Sequence, residues 1–286
     1  MSWDLRGLAA DDGLIVGAAA DHRDSLRAEL ERRGLHVTDE EVGDAKARIA
    51  EALAPVASLL LLDVEIGAPA AIARGAIRNG PPLVLPLENQ GYGDVASVSE
   101  TTLMEDFSPA KAVELGAAGC KLLLPFRVDV ADQAVRQERV AARCADACRA
   151  AGIPLVLEPI VYRRKGEELA ADRYAELVVA GAARLAALDP GLLKVQYPGG
   201  PAACRALHEA SGGSAWVLLG GGADEATLVG QVCEACAAGA QGFVVGRTLW
   251  VDALVADVDE RRRRIAETVR PRLERLAAAV RAQRAG

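Results

Sequence analysis

Aromatic residues are scarce in this 286-residue chain, at 3% of the total. A core built on stacked rings is therefore excluded, and the interior must be filled by Leu, Val, Ile and Ala. Histidine occurs only at His22, His36 and His208. His36 and His208 fall away from the strand ends, so a zinc site is not expected. Positive charge is not in excess either: the net charge of −7 gives no overall field to displace counterions from a nucleic acid. No uninterrupted apolar run is long enough to span a bilayer. Met1-Ser2-Trp3-Asp4 lacks the basic region that precedes a signal peptide's apolar stretch, so a reduced, cytoplasmic setting is expected. Six cysteines are present. The pairs Cys144/Cys148 and Cys233/Cys236 sit at helical spacing in Ala-rich segments, where small apolar packing explains them without redox or metal chemistry.

Apolar residues make up 51% of the chain, enough for a sizeable core. Short Val- and Leu-rich runs alternate with longer Ala/Arg/Glu segments of helical period. The runs are Leu14 to Ala20, Ala57 to Asp63, Pro82 to Glu88, Gly119 to Pro125, Pro154 to Val161, Leu192 to Tyr197, Ala215 to Leu219 and Gly242 to Val245. Eight such units in one chain predict a single-domain (β/α)8 TIM barrel over residues 1–286. Gly80-Pro81-Pro82, Ala151-Gly152-Ile153-Pro154 and Gly239-Ala240-Gln241-Gly242 each close a helical stretch just before a strand. Arg261 to Arg264 reads as a solvated helix face, with Asp257, Asp259 and Glu260 placed to pair with it.

Lys194 interrupts the apolar run Leu192-Leu193-Lys194-Val195. An ammonium in a buried strand costs several kcal/mol to desolvate, so packing does not explain it. Burial favours the free amine, which can attack a carbonyl and form a Schiff base. Charged residues recur where the other runs end: Asp21-His22-Arg23-Asp24, Asp63-Val64-Glu65, and Glu88-Asn89-Gln90-Gly91-Tyr92. Lys121 and Glu158 stand within the fourth and fifth runs. Period-two alternation puts Lys194 on a face with Leu192 and Gln196, and Glu158 on a face with Val156 and Ile160. If these faces line the lumen, Lys121, Glu158 and Lys194 meet from consecutive strands. Arg23, Asp63 and Glu88 are further candidates to contact a substrate.

Gly220-Gly221-Gly222 follows the seventh run, and Gly246-Arg247 the eighth. Glycines admit an anion close to backbone amides, and the arginine supplies a planar donor fork. A glycine triplet alone fits a tight turn equally well. Together with Gly246 and Arg247, after the strands where barrels commonly hold a phosphate, it reads as an anion cradle.

In this order these segments resemble the class I aldolases that include tagatose-1,6-bisphosphate aldolase and sulfofructosephosphate aldolase. The resemblance rests on Asp21-His22-Arg23, Leu62-Asp63, Lys121-Leu122-Leu123, Leu157-Glu158-Pro159, Leu193-Lys194-Val195 and Gly246-Arg247-Thr248-Leu249-Trp250. It implies that Lys194 is the Schiff-base lysine, Lys121 a second active-site lysine and Glu158 the acid/base carboxylate. It also implies that Asp21 contacts the substrate near its carbonyl, and that Arg247 and the Gly220 loop hold a phosphate. The expected reaction is metal- and cofactor-independent cleavage of a phosphorylated ketose, of the 6-deoxy-6-sulfofructose 1-phosphate or tagatose 1,6-bisphosphate type, to dihydroxyacetone phosphate and an aldehyde. The expected partner is that small sugar, with no nucleic acid or membrane, in a homo-oligomer. The chain departs from the family pattern at Gly220 and Gly221, where serine is frequent, and at Gln196, where K-V-E is frequent. Basic residues Arg163, Arg164 and Lys165 either meet a second anionic group or are solvated loop charges. Two rival readings stand beside this one: an isomerase or epimerase pairing Glu158 with Asp63, and a phosphosugar-binding regulator without turnover.

Overall fold

The computed structural model describes residues 3–89 and 100–285. Eight parallel strands close into a barrel in the order β1 to β8. They are β1 (Ile15–Ala20), β2 (Leu59–Leu62), β3 (Leu83–Pro86), β4 (Ala117–Pro125), β5 (Leu155–Ile160), β6 (Leu192–Val195), β7 (Trp216–Leu219) and β8 (Gly242–Val245). All eight expected runs form strands, and β8 pairs back onto β1 through Ile15↔Gly242 to Ala18↔Val245. Gln90, Gly91 and Tyr92, read as the end of the third run, lie outside the described residues.

Helices follow the strands: α1 (Asp24–Arg32), α2 (Asp39–Leu53), α3 (Gly67–Arg74), α4 (Pro109–Glu114), α5 (Ala131–Ala151), α6 (Ala171–Ala186), α7 (Pro201–Ala210), α8 (Glu225–Ala237) and the short α9 (Arg247–Trp250). Two more, α10 (Val258–Arg264) and α11 (Arg270–Ala285), flank a π-helical turn at Ile265–Val269 and pack outside the barrel. Among the described residues no helix is long and apolar enough to cross a membrane.

Strand alternation sorts side chains into two cores. Ile15, Ala19, Leu59, Leu61, Val84, Val156, Leu192, Val217 and Val244 pack inside the lumen, while their neighbours meet the helices. Leu8, in the 3-10 turn Arg6–Leu8, plugs the N-terminal end of the lumen, and its carbonyl accepts from Ser58 Oγ at 2.8 Å. The lumen is therefore filled at its base, and the cavity walled by strand residues opens at the C-terminal ends of the strands.

One expectation about the outer layer needs correcting. Arg261 is buried, donating to Glu41 at 3.0 Å and to the Val255 carbonyl at 3.3 Å. Only Arg262, Arg263 and Arg264 form the exposed, ion-paired face. Asp257 is the N-cap of α10 and accepts from the Glu260 amide rather than pairing with an arginine.

Candidate active site

At the C-terminal end of the barrel lies a cavity of about 330 Å³, walled by residues from β1, β4, β5, β6, β7 and β8 and the loops that follow them. Two residues above Leu192 on its lumen face, Lys194 reaches this cavity, as the alternation requires. Its Nζ lies 2.9 Å from Glu158 Oε1. The other carboxylate oxygen of Glu158 is 3.6 Å from Lys121 Nζ. Lys121 donates to Asp21 Oδ2 at 2.9 Å and to Glu88 Oε1 at 2.6 Å. Lys121, Glu158 and Lys194 thus meet across three consecutive strands, with Asp21 arriving from the end of β1.

Electrostatics fix the charge of most of this cluster. Burial alone would favour a neutral Lys121 amine, but Asp21, Glu88 and Glu158 outweigh it and hold the ammonium well above its ordinary pKa. Burial likewise pushes against ionised Asp21, yet Lys121, His22 and Lys194 depress its carboxyl below the usual range. Glu88 goes the other way: it has no solvent contact, and desolvation raises its pKa despite Lys121.

The opposite wall is the glycine cradle. Gly221 and Gly222 take φ values of 58° and 79°, the left-handed region that favours glycine. Their amides find no acceptor among the described residues. A Cβ on Gly246 would sit 2.8 Å from the Ala19 carbonyl oxygen and 2.9 Å from His22 Cε1. Only glycine lets the chain turn there, which sets Arg247 on the cavity rim. Among the described residues Arg247 has no carboxylate within ion-pair distance, so its guanidinium is available to an anion.

Four residues expected to touch a substrate are not brought to the cavity wall. Asp63 has no solvent contact: it pairs with Lys46 of α2 and accepts from the Ile66 and Gly67 amides at 2.8 and 3.1 Å, fixing the start of α3. Arg23 lies behind the wall, donating to Glu65 at 3.0 Å and to the Glu88 carbonyl at 2.7 Å. Glu88 serves Lys121 and the Leu123 amide, at 3.3 Å, from beneath. Arg163 is exposed on the loop after β5. The epimerase reading loses its second group with Asp63.

Several wall residues went unassigned in the sequence reading. His22 stands in the Asp21-His22-Arg23 segment without a role of its own. Its ring packs edge-on against Trp250 with centroids 5.6 Å apart, and Nδ1 lies 3.7 Å from Asp21 Oδ1. Burial, reinforced by Arg247, Lys194 and Lys121 and opposed by Asp21, lowers its pKa to about 3, so the imidazole is neutral near pH 7. Three successive residues here are held, the Asp21 side chain by Lys121, the His22 carbonyl by Lys46 at 2.7 Å, and the Arg23 side chain by the Glu88 carbonyl. Ser25 and Thr248 also line the cavity. Gln196 and Ile160, which do so too, were legible as the same-face neighbours of Lys194 and Glu158. The Gln196 Oε1 accepts from the Val161 amide at 2.6 Å. Among the described residues no group of three or more His, Cys, Asp or Glu side chains is arranged to hold a metal ion.

The comparisons with known proteins point the same way. The tagatose 1,6-diphosphate aldolase of Listeria innocua is 33% identical over 175 residues, 60% of this chain and 51% of its own length. The tagatose 1,6-diphosphate aldolase 2 of Streptococcus pyogenes is 31% identical over 169 residues, 58% of this chain and 50% of its own. The chain thus spans about half the length of the curated relatives it matches. Among solved structures, an archaeal fructose-1,6-bisphosphate aldolase with its catalytic Lys bound to the carbinolamine intermediate superposes with a TM-score of 0.67. That match has 20% identity and covers 96% of this chain and 97% of the other. A Schiff base-forming fructose-1,6-bisphosphate aldolase follows at 0.64, also with 20% identity, over 92% and 96% of the two chains. Both likenesses concern the fold. The family model for DeoC/LacD aldolases matches residues 15–252, and the chain belongs to that family.

Proposed function

We propose that this protein is a class I aldolase that cleaves a ketose 1-phosphate to dihydroxyacetone phosphate and an aldehyde. The observation that carries the reading is the 2.9 Å contact between Lys194 Nζ and Glu158 Oε1, at the wall of a cavity that also holds an arginine and glycine amides without partners among the described residues. A lysine must shed a proton before it can attack, and Glu158 is positioned to take it. The free amine adds to the C2 carbonyl to give a carbinolamine. Glu158 returns the proton to its hydroxyl, water leaves, and an iminium remains on Lys194. Glu158, again ionised, takes the C4 hydroxyl proton, the C3–C4 bond breaks, and its electron pair flows into the iminium to give an enamine. The aldehyde departs, C3 is protonated, and water releases dihydroxyacetone phosphate from Lys194.

Lys121 stays charged throughout in this scheme. It fixes Asp21 beside the reacting carbon and balances Glu158 whenever Lys194 is neutral. Arg247 and the Gly221 and Gly222 amides hold the 1-phosphate, which sets C2 against the amine. Membership of the DeoC/LacD aldolases and the named tagatose 1,6-diphosphate aldolases among its relatives support the same chemistry. The test is triose phosphate release from a panel of ketose 1-phosphates in a coupled assay. Release that persists in chelator and vanishes in Lys194→Arg supports the reading. Equal turnover by Lys194→Arg would instead require a route without a covalent intermediate.

A further inference from the structure

The cavity wall is charged at the reacting centre and at the cradle, and neutral beyond them. Two residues past Lys121, Glu158 and Lys194 on the same strand faces come Leu123, Ile160 and Gln196, all three lining the cavity. This is the wall facing the part of the sugar farthest from the cradle, because Leu123 and Ile160 stand on β4 and β5, across the barrel from β7 and β8. Two of these side chains are apolar. Gln196 is an uncharged amide whose oxygen is already taken by the Val161 amide. The cations of Lys121 and Lys194 are matched by Asp21, Glu88 and Glu158. Arg247 is therefore the single cavity-lining cation without a carboxylate partner among the described residues, and residues 90–99 contain no Lys, Arg or His.

The basic residues on the loop after β5, Arg163, Arg164 and Lys165, are exposed and none of them lines the cavity, and their loop is anchored. Arg127 donates to the Tyr162 carbonyl at 3.1 Å and to Glu167 Oε1 at 2.9 Å. The Arg164 amide closes onto Glu167 Oε2 at 2.9 Å, and Tyr162 Oη donates to Gln133 at 2.7 Å. Moving the backbone of this loop inward would break this set.

We propose that the sugar carries one anionic group only, next to the reacting carbonyl, and ends in an uncharged carbon at its far end, so that the aldehyde released is neutral. This rests on the aldolase reading and narrows it, because a 1,6-bisphosphate or a 6-sulfonated 1-phosphate would set a second anion against Leu123 and Ile160. An anion without a partner in a partly closed, apolar setting is disfavoured.

The test compares, for both C4 epimers, a ketohexose 1-phosphate and its 6-deoxy analogue with the 1,6-bisphosphate and the 6-deoxy-6-sulfo 1-phosphate. The expected result is a kcat/KM about 100-fold lower for the doubly anionic pair. Equal or faster cleavage of that pair overturns the proposal. Borohydride trapping of dihydroxyacetone phosphate on the same protein separates the two levels. If Lys194 is labelled but none of the sugars is cleaved, the substrate class is wrong while the covalent chemistry stands. If Lys194 is not labelled and nothing is cleaved, the aldolase reading falls and this proposal with it.

Discussion

Lys194 and Lys121 share one carboxylate: Glu158 turns one oxygen to each, at 2.9 and 3.6 Å. The two amines are nevertheless not equivalent. Lys121 is enclosed by Asp21, Glu88 and Glu158 and is locked in its charged form, which makes it a poor nucleophile. Lys194 faces the cavity, and among the described residues Glu158 is the one carboxylate within ion-pair distance of it.

Removing Lys121 leaves Asp21 and Glu88 buried with no cation between them. Lys121→Met is expected to destabilise the fold by about 3–5 kcal/mol, the usual cost of orphaning a buried charge. Adding Glu88→Gln should recover part of that loss, since it removes one of the stranded carboxylates. Urea unfolding of the single and double variants measures both effects.

Among the described residues Arg247 has no carboxylate within ion-pair distance, so its loss should cost binding and spare stability. Arg247→Ala is expected to lower kcat/KM for a phosphorylated sugar by roughly 100-fold, mostly through KM, at an unchanged unfolding midpoint. A comparable drop in both kcat and stability would place Arg247 in the framework instead.

His22 predicts a pH signature. Its pKa falls from 6.5 to about 3 in the folded chain. Between those values the unfolded chain binds the proton and the folded chain does not, so stability is full above pH 6.5 and declines as the pH drops toward 3. The contribution is at most about 1.4 kcal/mol per pH unit. Urea midpoints at pH 6.5 and 5.5, above the carboxylate range, should fall less for His22→Gln than for the parent chain.

Asp63→Ala is expected to destabilise the protein by about 3–5 kcal/mol, because it strands Lys46 and uncaps α3. Its effect on KM should be small. A large KM change with unaltered stability would restore Asp63 to the substrate site.

The barrel was legible because each strand announces itself as an apolar run, and most of the runs carry a charge within them or at their end. Lys194 and Glu158 were legible because strand alternation is a local rule, and their faces follow from Leu192 and Val156. Asp63 obeyed the same rule and misled. Its fate depends on Lys46, 17 residues earlier on α2, a contact that no strand pattern encodes. His22 was hidden for a related reason. β1 ends at Ala20, so alternation no longer says which of Asp21, His22 and Arg23 turns into the cavity. The buried side of Arg261 arises from α10 packing beside α2, where Glu41 waits, and only the folded chain reveals it.

Which of the two amines reacts decides the chemistry. Borohydride reduction in the presence of dihydroxyacetone phosphate, followed by peptide mapping, should place the mass of the reduced adduct on Lys194 and leave Lys121 unmodified. An adduct on Lys121, or none on either lysine while triose phosphate is still released, would contradict it.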